Sequence, residues 1–96
     1  LTRDEALTIL RREKPRLIER YGITALGLFG STARDQAGPN SDVDVLVHLQ
    51  RPTLSVLTHI HDDLENALGT RVDLIRFNDN LGPFLKDRIK EEGVYV

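Results

Sequence analysis

Leu28–Leu49, LFGSTARDQAGPNSDVDVLVHL, is the stretch whose reading decides the fold. It divides into an apolar strand entering Gly30-Ser31, a short helix with Arg34, a Gly38-Pro39-Asn40 turn, and a second strand with Asp42 and Asp44 at its mouth. Side chains two apart on a strand point the same way, with Cα atoms about 6.6 Å apart, so Asp42 and Asp44 reach toward a common point. Two carboxylates that close repel unless something positive lies there. Mg²⁺ suits the place because it is hard, prefers oxygen, and is held by one or two carboxylates together with substrate phosphates. The other half of the stretch suits a phosphate. Gly30 permits close backbone approach, Ser31 is read as the cap of the helix, and the amides after it present donors at the positive end of the helix dipole. Arg34 is a charge partner for a nucleotide, for the aspartates, or for Asp35.

Working outward toward the N-terminus, Ala6, Leu7, Ile9, Leu10, Leu17 and Ile18 share a helical face between Thr2 and Tyr21, with Thr2 or Asp4 as cap and Gly22 at the end. Pro15 lacks an amide donor and clashes with the preceding turn, which predicts a kink or a break near Glu13-Lys14. Ala25 to Phe29 is apolar on both faces and reads as a central strand, in which Gly27 marks a close approach by another backbone or a ligand or, equally well, serves packing. From Asp42 to Leu49, Val43, Val45, Val47 and Leu49 take one face and Asp42, Asp44, Leu46 and His48 the other. Leu54, Leu57, Ile60, Leu64, Ala67 and Leu68 recur at helical steps up to Gly69. Arg71 to Ile75 reads as a third strand with Asp73 opposite Val72 and Leu74, and Asp73 joins the acids if the two strands are neighbours. Three acids suit two metal ions and an in-line displacement at phosphorus. Leu81, Leu85 and Ile89 then define a last helix with Pro83 in its first turn, and Val94-Tyr95-Val96 reads as a short edge strand.

The 96 residues are expected to form one domain, residues 1–96. Thirteen Lys and Arg against fifteen Asp and Glu give a formal charge of -2, the wrong sign for holding nucleic acid by counterion release. The basic residues of RREKPRLIER and KDRIKEE are interspersed with acids, as on solvated helix faces. No run is apolar enough to span a membrane, and the first residues do not resemble a secretory signal. Cysteine is absent, which removes disulfides and thiolate metal sites and leaves the cytoplasm as the default compartment. His59 and His61 are two apart on a helix and point to different sides, so a solvated or capping role is expected for them. A structural role is expected for His48, and packing roles for Tyr21 and Tyr95.

Gly30-Ser31, the helix with Ala33-Arg34, and Ser41-Asp42-Val43-Asp44 running into Val45-Leu46-Val47 resemble the signature of the polymerase-beta-type nucleotidyltransferase superfamily. The likeness extends over nearly the whole chain and is similar in order and length to the minimal nucleotidyltransferases, the MntA-like antitoxins paired with HEPN-domain toxins. It implies an α/β (α+β) fold, a small mixed sheet flanked by helices. It implies that Asp42 and Asp44 bind Mg²⁺, that Asp73 is the third carboxylate and helps deprotonate the acceptor, and that Gly30 and Ser31 hold the triphosphate, with Arg34 and Ser41 in the nucleotide site. The implied reaction transfers AMP from ATP to a hydroxyl, in this subfamily a tyrosine of the HEPN toxin. Where many relatives have Gly after the Ala-Arg pair, this chain has Asp35, expected to be a harmless solvated residue. With no acceptor domain in view, the acceptor is expected on a partner protein. The competing readings are a non-catalytic antitoxin that neutralises its partner by covering it, and transfer to a small-molecule hydroxyl.

Overall fold

The computed structural model describes residues 1–38 and 40–96. Pro39, in the middle of the expected Gly38-Pro39-Asn40 turn, lies outside the described residues. The elements are α1 (Arg3–Tyr21), β1 (Ala25–Phe29), α2 (Gly30–Ala33), β2 (Val43–His48), α3 (Leu54–Leu68), β3 (Val72–Arg76), α4 (Pro83–Glu92) and β4 (Val94–Tyr95). The sheet order is β3-β2-β1-β4, with β1 antiparallel to both β2 and β4, and β2 parallel to β3. A parallel pair needs a crossover, and α3 supplies it. Parallel strands also start at the same end of the sheet, which brings the beginnings of β2 and β3 together.

Alternation along β2 sorts the two faces. Val43, Val45 and Val47 are buried in the main core with Leu10 and Leu17 of α1, Leu26 and Leu28 of β1, and Ile60 and Leu64 of α3. Truncating any of these leucines to Ala is the kind of change that costs about 2–5 kcal/mol. The opposite face carries Asp44 and Leu46, and α4 covers part of it through Ile89 packed with Phe29 and Leu46.

Thr2 caps α1 by a capping box with Glu5, and Gly22 and Gly69 close α1 and α3 in the left-handed conformation. Pro15 does not divide α1, which runs as one helix from Arg3 to Tyr21. Pro15 and Arg11, whose carbonyl loses its amide partner, are both exposed, so water satisfies the orphaned oxygen. Gly27 lies against β4: a Cβ there would lie 3.0 Å from both Tyr95 Cδ1 and Val94 O. Among the described residues, no helix is long and apolar enough to cross a membrane.

Candidate active site

Asp44 stands directly opposite Asp73 in the parallel ladder, and opposite Phe29 in the antiparallel one. Neighbouring strands lie about 4.8 Å apart, so the Asp44 and Asp73 side chains emerge side by side from one face. Gly30 follows Phe29 and turns with φ 73, and a Cβ on it would overlap the Asp44 carboxylate. Glycine is required there twice over, by the backbone angle and by the space. Asp42, one residue before β2, shares the facing of Asp44 and is paired with Arg71, Nε to Oδ1 3.1 Å, on the exposed rim.

Burial raises the pKa of Asp44 above the ordinary carboxylate range. The charges of Asp73 and Asp42 push it further in that direction, while Arg34 opposes them. Asp73 and Asp42 thus both act on Asp44. Their hard oxygen donors, and the like charge that Asp73 and Asp42 bring to bear on Asp44, fit a divalent cation such as Mg²⁺.

Gly30 opens α2, and no side chain caps that helix: its cap position is Phe29. Ser31 thus lies within the helix instead of capping it, because the glycine turn starts the helix one residue earlier than the polar side chain suggests. The first-turn amides have neither intrahelical acceptors nor a side-chain partner. The helix also ends sooner than the Gly38 turn, at Ala33, with Arg34 as its C-cap and Asp35 at φ 57. Asp35 occupies a left-handed position, which glycine or a short polar residue tolerates. It is not merely solvated, since its Oδ1 accepts the Arg3 N–H at 3.1 Å.

Arg34 reaches from α2 toward α4, with Nη1 3.9 Å from Glu92 Oε2. Arg88 Nη2 meets the same oxygen at 3.2 Å, and its guanidinium lies 5.8 Å from the centre of the Phe29 ring. Ser41 Oγ accepts the Gly38 N–H at 3.0 Å and so braces the loop that delivers Asp42. The structure thus groups Gly30, Asp42, Asp44 and Asp73, places Arg34 beside them, and gives Ser41 a supporting contact.

Residues 10–96 match the model of the nucleotidyltransferase domain. The chain belongs to that family. This nucleotidyltransferase is 38% identical to the protein adenylyltransferase MntA of Thermococcus cleftensis, over 100% of this chain and 97% of that one. It is 35% identical to MJ1217 of Methanocaldococcus jannaschii, over 99% and 98% of the two chains. A solved minimal nucleotidyltransferase superposes with TM-score 0.79 at 32% identity, covering 98% of this chain and 95% of the other. A solved toxin–antitoxin with AMP-PNP shares the fold at TM-score 0.68 and 22% identity, covering 99% and 72%. The chain is therefore a transferase with a mixed sheet flanked by helices, as its pattern of residues implies.

Sequence reading passed over Arg88 and Glu92 as members of a mixed-charge helix, although their i,i+4 spacing is the available signal. It also took His61 as solvated or capping, whereas His61 Nε2 donates to the Val72 carbonyl at 3.0 Å. His48 is structural as expected: its Nε2 bonds Tyr95 Oη at 2.8 Å and its ring stacks on Phe77 at 4.7 Å. Four residues along β2 separate His48 from Asp44, about 13 Å, so Tyr95 is held away from the acids.

Proposed function

We propose that this nucleotidyltransferase transfers AMP from ATP to a tyrosine hydroxyl of a HEPN-domain toxin, acting as the antitoxin of the pair. The observation that carries the reading is the alignment of Asp44 with Asp73 beside Gly30, which sets carboxylates and uncapped helix amides at one end of one sheet. Asp42, Asp44 and Asp73 would hold Mg²⁺, two ions for three acids. When bound, the metal supplies charge neutralisation for the phosphates and polarisation of the attacking oxygen. The amides of Ser31 and Thr32 face the triphosphate, and the Gly30 backbone lets it approach; Arg34 adds positive charge. Asp73, the exposed member of the aligned pair, takes the proton of the acceptor hydroxyl. The acceptor oxygen bonds to the α-phosphorus, the bond from that phosphorus to the bridging oxygen breaks, and pyrophosphate leaves.

Protein as acceptor is supported by the adenylyltransferase MntA relative, 38% identical over its length. A HEPN toxin as partner is supported by a solved HEPN toxin–MNT antitoxin complex whose fold this chain shares, at TM-score 0.58 and 19% identity. The experiment is label transfer to a HEPN protein with Mg²⁺ present. Label from the α-phosphate of ATP is expected on the toxin and label from the γ-phosphate is not. Transfer of γ-label would make the protein a kinase and overturn the reading, and full neutralisation of the toxin by an Asp42→Asn/Asp44→Asn double variant would replace catalysis with covering.

A further inference from the structure

β3 is an edge strand, and one of its residues has both backbone polar groups held by side chains from a helix. Val43 N–H donates to Arg71 O at 3.0 Å and Phe77 N–H to Val47 O at 2.9 Å, so the odd-numbered residues of β3 turn their polar groups toward β2. Val72 turns outward, where a sheet edge meets water. Its N–H donates to Glu65 Oε2 at 2.9 Å and its carbonyl accepts from His61 Nε2 at 3.0 Å. His61 and Glu65 are one turn apart on α3 and lie 3.3 Å from each other, and His61 Nδ1 lies 3.1 Å from Asp62 Oδ1. Two side chains of one helix therefore imitate the missing neighbouring strand for a single residue.

That residue immediately precedes Asp73. The peptide unit joining Val72 to Asp73 is pinned on both sides, its oxygen by His61 and its nitrogen within the ladder to β2. We propose that His61 and Glu65 are positioning residues that clamp Val72 and so hold the Asp73 carboxylate in register with Asp44. This rests on Asp73 serving the divalent-cation site. The donor atoms of His61, Asp62 and Glu65 lie within 4.8 Å of one another, a spacing compatible with a metal ion. His61 Nε2 and Glu65 Oε2 are nevertheless committed to Val72, and the clamp is the use the contacts support. Groups that orient a ligand without touching the metal characteristically change affinity by 10–100-fold when removed.

The test compares Glu65→Ala with Glu65→Gln, and His61→Ala with His61→Gln, in the full chain. Gln at 65 retains an oxygen for the Val72 N–H, and Gln at 61 retains a donor that reaches its carbonyl. Three readouts are taken: hydrogen exchange of the Val72 amide, Mn²⁺ affinity of the nucleotide-free protein from paramagnetic broadening at Gly30 and Asp44, and transfer kinetics. Glu65→Ala is expected to release the Val72 amide, weaken Mn²⁺ binding at the aspartates by about tenfold, and lower kcat with little change in KM for ATP. Glu65→Gln and His61→Gln are expected to recover most of that loss. Wild-type Mn²⁺ affinity in Glu65→Ala with the Val72 amide released overturns the clamp, and so does Glu65→Gln binding as weakly as Glu65→Ala, which would make Glu65 a ligand. If Glu65→Ala does not fold, the two Gln variants decide alone: near-wild-type affinity supports the clamp and tenfold loss overturns it. A wild-type chain that binds no Mn²⁺ near Gly30 and Asp44 removes the cation-site reading itself, and the clamp's purpose with it.

Discussion

Gly30 and Asp44 meet where there is room for a carboxylate or a methyl group but not both. The backbone of Gly30 is left-handed, which L-residues adopt at a cost of about 1–2 kcal/mol. In Gly30→Ala the flexible Asp44 side chain yields before the backbone does, so the carboxylate leaves its place beside Asp73. The expected result is a folded protein about 1–2 kcal/mol less stable, with transfer reduced about 100-fold, since misplacement by an ångström is enough for that. Chemical denaturation and a transfer assay on one preparation check both; retained activity would show that Asp44 works from elsewhere.

Asp44 gives a pH dependence of determinate sign. Its pKa is raised by burial and by Asp73, so its contribution to stability is fully present below the ordinary aspartate range and is lost as pH rises through the raised value. At neutral pH without divalent ions, Asp44→Asn should therefore melt higher than wild type, and the difference should close as pH falls below about 4. Mg²⁺ should stabilise wild type and leave the variant unchanged, while transfer is abolished. Thermal melts across pH, with and without Mg²⁺, measure all three. A variant less stable than wild type at neutral pH contradicts the repulsion.

For Asp35 the structure separates a backbone requirement from a hydrogen bond. Asp35→Gly keeps the left-handed angle and loses only the bond to the Arg3 N–H, about 1 kcal/mol; Asp35→Ala also takes on the backbone cost, for a total of about 2 kcal/mol. KM for ATP should be unchanged in Asp35→Gly. A fall in KM would show instead that the carboxylate repels the nucleotide.

Pro15 lies inside an unbroken helix on its exposed side. Replacing it by Ala recovers about 3 kcal/mol of helix preference and gives back about 1 kcal/mol of chain entropy in the unfolded state, leaving about 2 kcal/mol of added stability. The melting temperature should rise by about 10 °C with activity unaltered. No rise would mean that the helix already accommodates the ring.

What the sequence carried was periodic or spaced along one segment. The alternation of Val43, Val45 and Val47 against Asp42 and Asp44, and the helical steps from Leu54 to Leu68, placed their elements within a residue or so. The nearness of Asp73 to Asp44 depended on strand order, which local pattern leaves open; the length of α3 as a crossover is what makes the parallel pairing possible. The start of α2 was misplaced because Ser31 is a good cap in isolation, while the turn made by Gly30 sets the boundary. Of the kink or break expected at Pro15, the break does not occur, since the packing of Leu10 and Leu17 on the sheet outweighs one lost helix bond. Contacts such as Arg34 with Glu92, or His61 with Val72, join residues from elements that no repeat in the sequence ties together.

The two sides of the sheet are built to different strengths. α1 and α3 sit on the extensive cluster around Leu10, Val45 and Ile60, whereas α4 is attached through Ile89 against Phe29 and Leu46, and Phe84 near its start is 78% exposed. Cooperative opening need not include the whole molecule when one element contributes so little shared apolar surface. α4 is thus held by fewer buried side chains than α1 or α3, and its amides should exchange with solvent well before those of β1 and β2. Since Glu92 at its end holds Arg34 and Arg88, each such opening also changes the charge facing Asp44. The acids are framed by a deeply packed floor and a thinly packed wall, and the wall is where a bound nucleotide should register as slowed exchange.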